Sequence, residues 1–152
     1  FWRLCAASPA PFAAYVADGR GTAVLSSSPE EFLFREHDLV RTRPIKGTRP
    51  RGATAAADDA LLAELVHSEK DLAELAMIVD LLRNDLGKVA TIGSVQVGPF
   101  PEHGTFAQVH HLHTTVQAQL RPGTSHVDLL RATFPGGSIT GCPKLRCLEI
   151  LE

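Results

Sequence analysis

The chain has 152 residues, of which 44% are hydrophobic and 21% are charged, and its formal net charge is −2. This composition is typical of a globular domain and excludes a disordered chain. The nearly balanced charge gives no general attraction to nucleic acid, and no apolar run approaches the roughly 18–20 residues of a membrane-spanning helix. The three cysteines, an odd and sparse set, favour a reducing compartment such as the cytoplasm.

The first part of the chain is predicted to be largely extended. Prolines and glycines in residues 1–21 predict loops and short extended pieces. Three short antiparallel strands are predicted at residues 22–28, 31–36 and 38–43. The tract 47–59 is predicted to be a loop and linker, after which Asp58 or Asp59 caps a helix over residues 60–67.

Residues 68–87 predict an amphipathic helix. Ser68 lies at the N-cap with Asp71 three residues later, close to a capping box, and Gly87 suits the C′ position. Apolar residues at helical spacing form its predicted core stripe, which consists of Leu72, Leu75, Ala76, Val79, Leu82 and Leu86.

The second part of the chain mixes strands and helices. Strands are predicted over residues 89–98 and 105–120, a helix over 125–134, a glycine-rich loop over 135–143, and a last helix that begins near Pro143. Strands, helices, strands and helices in this order predict an α+β fold. Because the chain opens on Phe-Trp and stops inside a helical run, we expect it to be part of a longer protein.

The glycine-rich loop is a candidate anion site. It holds Gly137, Ser138 and Thr140 just before the last helix, where backbone N–H groups could receive a phosphate or a carboxylate. Lys144 in the first turn of that helix would add a positive charge. The loop matches neither a Walker A motif nor a GxGxxG motif, so nucleotide binding does not follow. An ordinary turn and helix cap explains the pattern equally well.

Acidic residues at a three-residue spacing suggest a second candidate. Asp71 and Glu74 share a helix face with no lysine four residues later to neutralise them, which suits a hard cation such as Mg²⁺. Glu149 and Glu152 repeat the spacing on the last helix, and two such faces would form a divalent site if they met. The alternative, a solvated helix face, is favoured by the pattern alone.

The histidine-rich segment does not favour zinc. Of His110, His111 and His113, only the last two share a strand face, and no cysteine lies at a metal-binding spacing from them. One histidine that faces a cleft as an acid, a base or a hydrogen-bond donor to a carboxylate is the more plausible role.

Lys46 lies among four arginines in the tract 41–51. Cationic neighbours would favour its neutral amine, and a neutral amine can act as a nucleophile. On spacing alone, however, a basic surface loop that binds nothing is the simpler interpretation.

Six longer motifs occur in one order: SPAPFAAYV, SSSPEEF, RTRPIKGTRPRG, AELAMIVDLLRNDLGKV, QVHHLHTTVQAQL and FPGGSITGCPKLRCLEIL. Over nearly the whole chain they closely resemble the chorismate-utilising enzymes, the family of anthranilate synthase and aminodeoxychorismate synthase component I. The resemblance implies antiparallel sheets with packed helices. It also implies that residues 1–152 are part of a chorismate-binding catalytic domain that continues beyond both ends.

The resemblance gives Lys46 a specific role. In this family the PI-x-GT motif has Ala in anthranilate synthases and Lys in many aminodeoxychorismate synthases, so PIKGT indicates the latter. There the lysine attacks ring carbon 2 of chorismate as the 4-hydroxyl leaves, and ammonia then adds at carbon 4. The same resemblance makes Glu30 the general acid and base. Anthranilate synthase component I and a non-catalytic chorismate-binding remnant remain the alternatives.

The resemblance also implies roles for the other candidates and a partner. Glu74 would be a ligand of Mg²⁺, and the second glutamate would be Glu149, Glu152 or a residue beyond the end of the chain. The residues implied to contact the substrate are His111, Gly137, Ser138, Thr140 and Lys144. A glutamine amidotransferase subunit or domain would supply ammonia. Cys142 and His113 depart from the usual residues of the family, and neither removes a named role.

Overall fold

The computed structural model describes residues 1–152 and divides the chain into two compact units, Phe1–Glu31 and Phe32–Glu152. The first unit contains helix α1 (Trp2–Ala7) and an antiparallel ribbon of strands β1 (Phe12–Ala17) and β2 (Ala23–Ser28). Of the loops and short extended pieces predicted for residues 1–21, strand β1 is one extended piece, but the prediction is wrong for Trp2–Ala7, which form a helix before the two prolines. Strand β2 confirms the strand predicted at residues 22–28.

Two antiparallel sheets form the framework of the second unit. The four-stranded sheet has the order β3–β4–β9–β6, with β3 (Glu31–Glu36), β4 (Leu39–Arg43), β6 (Gln96–Val97) and β9 (Val116–Gln119). The three-stranded sheet has the order β5–β8–β7, with β5 (Ile45–Pro50), β7 (Glu102–Thr105) and β8 (Val109–His113). The α+β class with antiparallel sheets is thus confirmed.

The chain passes from one sheet to the other at one corner. Thr42 of β4 pairs with Val116 of β9 in the first sheet, and Ile45 of β5 pairs with His113 of β8 in the second. Pro44, which has no N–H to donate to a ladder, lies between β4 and β5. Thr114, between β8 and β9, instead donates its hydroxyl to the carbonyl of Pro99 at 2.8 Å. The predicted continuous strand over residues 105–120 is therefore wrong, because the strand is interrupted where it changes sheets.

Five helices complete the second unit: α2 (Ala55–Val66), α3 (Glu69–Gly87), α4 (His126–Thr133), α5 (Gly137–Thr140) and α6 (Lys144–Leu151). Polar side chains cap three of them by accepting backbone N–H bonds, which satisfies donors that have no partner inside the helix. Thr54 caps α2, Ser68 caps α3, and Ser125 forms a capping box with Asp128 at α4. None of the helices is long and apolar enough to cross a membrane.

The hydrophobic core lies where α2 and α3 pack on the two sheets. Its fully buried side chains include Leu65 of α2, Leu75 and Leu86 of α3, and Leu112 and Val116 of the strands. Burying one such side chain contributes about 1.5–3 kcal/mol. The predicted helix α3 is confirmed by its Ser68 cap and by the burial of Leu75, Val79, Leu82 and Leu86. Two details of the prediction are wrong: Ala76 of the predicted stripe is exposed, and Gly87 is the last helical residue rather than the C′ residue.

Two other predicted boundaries are wrong. The tract 47–59, predicted as a linker, contains most of β5 and the start of α2, and that helix begins at Ala55 rather than at residue 60. Residues 89–98, predicted as a strand, contribute only β6 and one isolated bridge between Ala90 and Leu120. In both segments the pairing partner decides the outcome more than local preference does.

Candidate functional site

A β-bulge in β5 determines how the PIKGT segment is presented. Lys46 pairs with Leu112 of β8, whereas Thr48 pairs with His111, so Gly47 is an extra residue with no partner of its own. Paired residues point to the same face of a sheet. Lys46 therefore begins on the same side as the buried Leu112, while Thr48 shares the opposite face with His111. Lys46 itself is half-buried.

Gly47 is required at the bulge for two reasons. Its φ of +74° is in the left-handed region, and a Cβ placed there would lie 2.9 Å from both the Asp71 Cβ and the Leu65 Cδ1. Any other residue would be strained and would also collide with α2 and α3. The segment beside Lys46 therefore approaches α3 more closely than a side chain would allow.

Thr48 holds the ring of His111. The Thr48 Oγ1 and the His111 Nδ1 are 2.8 Å apart, and the Phe106 ring lies 5.6 Å from the imidazole, centroid to centroid. Desolvation lowers the pKa of His111 below its usual 6.5, and a hydrogen bond with the Gly47 backbone partly opposes this shift. The imidazole is therefore neutral at pH 7 and has a fixed orientation.

The neighbouring His110 belongs to the core face and has a different environment. It is 1% exposed, and its Nε2 lies 2.9 Å from the Asp58 Oδ1 while its Nδ1 lies 2.9 Å from the Thr105 Oγ1. Asp58 also accepts bonds from Arg51 and from the Gly52 N–H, which lower the pKa of its carboxyl group well below the ordinary range. This network fastens β8 to α2 directly behind His111.

The arginines do not form an uncompensated ring of charge around Lys46. Arg49 pairs with Glu64 at 2.8 Å and with Asp71 at 3.2 Å, and Arg51 pairs with Asp58 at 2.7 Å. The guanidinium of Arg41 lies 3.9 Å from the centroid of the Phe34 ring. Two of the four arginines are therefore neutralised by carboxylates, and the expectation that they act together on the Lys46 amine is weakened.

One side of α3 connects the candidate groups, and we call it the α3 site face: Asp71, Glu74, Ile78, Leu81 and Asp85. These residues are three or four apart and so lie in one row. Gly47 packs against the first of them, at 2.9 Å from an added Cβ, and the glycine-rich loop packs against the third and fourth. The row from Asp71 to Leu81 is about 15 Å long at 1.5 Å per residue.

Glu74 is the most accessible carboxylate of this face. Its side chain is 44% exposed and lies 3.8 Å from Lys70, a loose pair at the surface. Asp71, in contrast, is paired with Arg49, and Asp85 is fully buried. The prediction that no lysine neutralises this helix face counted only lysines that follow the carboxylates, whereas Lys70 precedes Glu74 by four residues.

The glycine-rich loop includes a short helical turn, α5, that rests on α3. Gly137 is buried, and an added Cβ would lie 2.6 Å from the Leu81 Cδ2, so a larger residue would require the end of the Leu81 side chain to move. The N–H groups of Ile139 and Thr140 bond to the Gly136 carbonyl, and the Thr140 hydroxyl donates to the Gly141 carbonyl at 3.0 Å. Ser138 is half-buried at the start of this turn.

Lys144 is engaged in a buried ion pair. Its side chain is 8% exposed, and its Nζ donates to the Asp85 Oδ2 at 2.5 Å and to the Thr133 carbonyl at 2.8 Å. The other Asp85 oxygen accepts from Lys88 at 2.8 Å. Asp85 was not selected from the sequence as a partner of Lys144, although a charged residue in line with Ile78 and Leu81 indicates a buried charge.

The remaining predicted site residues are Glu30, Glu149 and Glu152. Glu30 belongs to the first unit, where its N–H donates to the Ser28 hydroxyl at 3.2 Å. Glu149 pairs with Arg146 on the surface at 3.0 Å, and Glu152 is exposed at the end of the chain. Nowhere do three or more His, Cys, Asp or Glu side chains converge as a metal centre.

Comparison with known proteins identifies the family of the chain. The model of the chorismate binding enzyme family matches residues 1–152. An aminodeoxychorismate synthase of Streptomyces griseus is 53% identical over 146 residues, which are 95% of this chain and 20% of that protein. Aminodeoxychorismate synthase component 1 of Escherichia coli is 48% identical over the whole chain, which covers 33% of its length.

Relatives named anthranilate synthase are nearly as similar. An anthranilate synthase component 1 of Haloarcula marismortui is 47% identical over the whole chain, which covers 31% of that protein. The crystal structure of anthranilate synthase component I from Streptococcus pneumoniae aligns with a TM-score of 0.81 and 34% identity, over 96% of this chain and 31% of the other. The chain thus spans between a fifth and a third of these relatives, and it belongs to the chorismate binding enzyme family.

Proposed function

From membership of this family we propose that the full-length protein is an aminodeoxychorismate synthase component I. Such an enzyme converts chorismate and ammonia to 4-amino-4-deoxychorismate, which leads to p-aminobenzoate and folate in the cytoplasm. The observation that carries the proposal is the α3 site face, on which the PIKGT bulge and the glycine-rich loop are both seated with the accessible Glu74 between them. The names of similar proteins from Streptomyces griseus and Escherichia coli support it.

Lys46 is the proposed nucleophile. Its amine forms a bond to ring carbon 2, the two conjugated ring double bonds shift, and the bond from carbon 4 to its hydroxyl breaks, with water departing after Glu30 donates a proton. Ammonia then adds at carbon 4, the double bonds shift back, and the bond to Lys46 breaks with its electron pair returning to the amine. The new ammonium group at carbon 4 gives a proton back to Glu30. The bulge supports this role because it fixes the backbone beside Lys46 through Gly47.

His111 is proposed to lie beside the substrate ring as a neutral hydrogen-bonding group. Burial lowers its pKa, so the imidazole adds no positive charge at neutral pH. Thr48 fixes the ring through Nδ1, at 2.8 Å from its hydroxyl oxygen. A neutral donor of this kind can orient a hydroxyl or a carboxylate without forming a permanent ion pair.

Glu74 fits a magnesium site, because it is a hard oxygen donor, half-exposed and only loosely paired. Together with Glu149 or Glu152, or a residue outside this chain, it would hold Mg²⁺. The ion would supply positive charge to bind and polarise a substrate carboxylate. The chain itself contributes Glu74, which lies on α3 between the places where the PIKGT bulge and the glycine-rich loop pack against that helix.

The glycine-rich loop is proposed to receive the second carboxylate of chorismate. Gly137 lets the backbone rest on α3, and Ser138 and Thr140 bring hydroxyl groups to the same turn. On binding, the Thr140 hydroxyl would exchange its carbonyl acceptors for the carboxylate. A glutamine amidotransferase subunit or domain is the proposed source of ammonia.

The product identifies the enzyme. We would incubate the full-length protein with chorismate, Mg²⁺ and ammonium, and identify products by chromatography and mass. Aminodeoxychorismate is expected, and Lys46→Ala should reduce turnover at least about a hundredfold, or about 2.7 kcal/mol of transition-state stabilisation. Arg83→Ala, which removes an exposed cation of α3 outside the bulge, is the matched control and should stay close to wild type.

The other results have clear meanings. Anthranilate as the product would establish the second candidate, anthranilate synthase component I, which the Haloarcula and Streptococcus proteins favour by name. Chorismate binding without any product would establish a non-catalytic remnant. Unchanged turnover in Lys46→Ala would remove the nucleophile from the proposal even if aminodeoxychorismate is formed.

A further inference from the structure

We propose that the ion pair of Lys144 and Asp85 acts as a clamp: it holds together the two ends of the glycine-rich loop, which we call its neck. Lys144 then positions the loop instead of contacting substrate. This inference deepens the proposed function and rests on it for the role of the loop as a carboxylate seat. The family resemblance alone placed Lys144 among the groups around the substrate. The contacts of its ammonium give it a different task.

The two ends of the loop meet at Lys144. Thr133 is the last residue of α4 and Lys144 is the first residue of α6, so the ten residues 134–143 lie between them. The Lys144 Nζ donates to the Thr133 carbonyl at 2.8 Å, which joins the two ends directly. Thr133 is fully buried and its hydroxyl donates to the Leu129 carbonyl at 2.8 Å, so this end of the loop is fixed to α4.

Asp85 fixes the neck to α3. Its carboxylate is fully buried and accepts from the Lys144 Nζ at 2.5 Å. Gly137 rests on the same helix face one turn earlier, against Leu81. The loop is therefore held to α3 at two places, by packing at its tip and by an ion pair at its neck.

The alternative is that Lys144 turns toward a bound carboxylate. That movement would break its bond to Thr133 and would leave the buried Asp85 with Lys88 as its cationic partner. Lys88 is 52% exposed and bonds to the other carboxylate oxygen. A buried carboxylate that loses a partner is strongly destabilised. The geometry thus keeps Lys144 at the neck.

The test compares four variants of the full-length protein without substrate: Lys144→Met, Asp85→Asn, the double variant, and Arg83→Met as the matched control, which removes an exposed cation of α3 that pairs with Asp80 and not with Asp85. Hydrogen exchange of the amides in residues 136–142 is the readout, and exchange in α3 reports whether the protein is folded. We expect exchange in the loop to become about tenfold faster in both single variants, the size typical of coupling between contacting groups. The double variant should be no worse than the more affected single variant, and Arg83→Met should leave the loop unchanged.

Kinetics on the same variants separate positioning from direct contact. The clamp predicts that Asp85→Asn and Lys144→Met raise the KM for chorismate by similar factors, because both release the same loop. If Lys144 contacts substrate, Lys144→Met alone raises KM, the loop exchanges as in the wild type, and the clamp is refuted. Equal acceleration of the loop in Arg83→Met would also refute it, since loss of any positive charge on α3 would then suffice.

A folding defect does not prevent the test. The double variant leaves no buried charge without a partner, because Lys88 is 52% exposed to solvent, and it keeps similar side-chain volumes. It is therefore the variant to measure if the single variants do not fold. A double variant with protected α3 amides and wild-type exchange in the loop would overturn the clamp. The exchange measurement needs no turnover, so it remains decisive even if the full-length protein fails to make aminodeoxychorismate.

Discussion

Replacement of Gly47 with alanine tests the bulge beside Lys46. The φ of +74° would cost an alanine about 1–2 kcal/mol. The new Cβ would also lie 2.9 Å from the Asp71 Cβ and the Leu65 Cδ1, well inside the roughly 3.5–4.0 Å of ordinary carbon contacts. Asp71 is fixed by Arg49 and Leu65 is fully buried, so neither retreats easily. Overpacking of this kind costs about 1–3 kcal/mol, which gives a total of about 2–5 kcal/mol.

Gly123→Ala is the matched control. Gly123 has a φ of +83° but no atom within 4 Å of an added Cβ, so its replacement incurs only the backbone strain of about 1–2 kcal/mol. Urea denaturation of the full-length protein and both variants, followed by fluorescence, gives the two losses of unfolding free energy. If Gly47→Ala and Gly123→Ala cost the same within about 0.5 kcal/mol, the close approach of the bulge to α2 and α3 is refuted.

Two further predictions concern the hydrogen bonds around β8. Thr48→Val removes the hydrogen-bond partner of the His111 Nδ1 and should lower kcat about three- to tenfold. Thr48→Ser keeps the hydroxyl and should retain most of the wild-type kcat. Equal losses of kcat in both variants would show that the hydroxyl is not the relevant group. Asp58 has a pKa lowered from its ordinary 3.8, chiefly by the hydrogen bond from Arg51, so its stabilisation is present above about pH 4 and is lost as the pH falls further. Urea midpoints measured from pH 6 to pH 3 should therefore fall more steeply for the wild type than for Asp58→Asn, and parallel curves would contradict the assigned network.

Helix α3 shows what the sequence determines locally. Its Ser68 cap and a run of apolar residues at helical spacing both lie within the helix, so the pattern predicts the helix and its buried side. Strand β5 shows the opposite case. Proline and glycine residues in and around it are typical of a loop, and it is a strand because β8, more than sixty residues later, pairs with it.

The candidate site likewise has residues that the sequence indicates and contacts that only the fold brings about. The resemblance selected Lys46, Glu74 and His111, and the structure places the first and last on paired strands and the second on the helix against which β5 packs. The contact between Thr48 and His111 depends on a one-residue shift at Gly47, which no periodicity shows. The pairing of Asp85 with Lys144 joins residues 59 positions apart, so it becomes visible only when α6 is placed on α3.

The bulge has a consequence for how this scaffold can diversify. The unusual backbone beside residue 46 depends on Gly47 and on the pairing of β5 with β8, and not on the side chain of Lys46. One substitution can thus change the side chain at that position while the strands, the helices, the bulge and the glycine-rich loop keep their places. If Lys46 is the nucleophile, as proposed above, the reacting group and the framework that holds it are separable parts, and a new ring chemistry on this fold requires no new architecture.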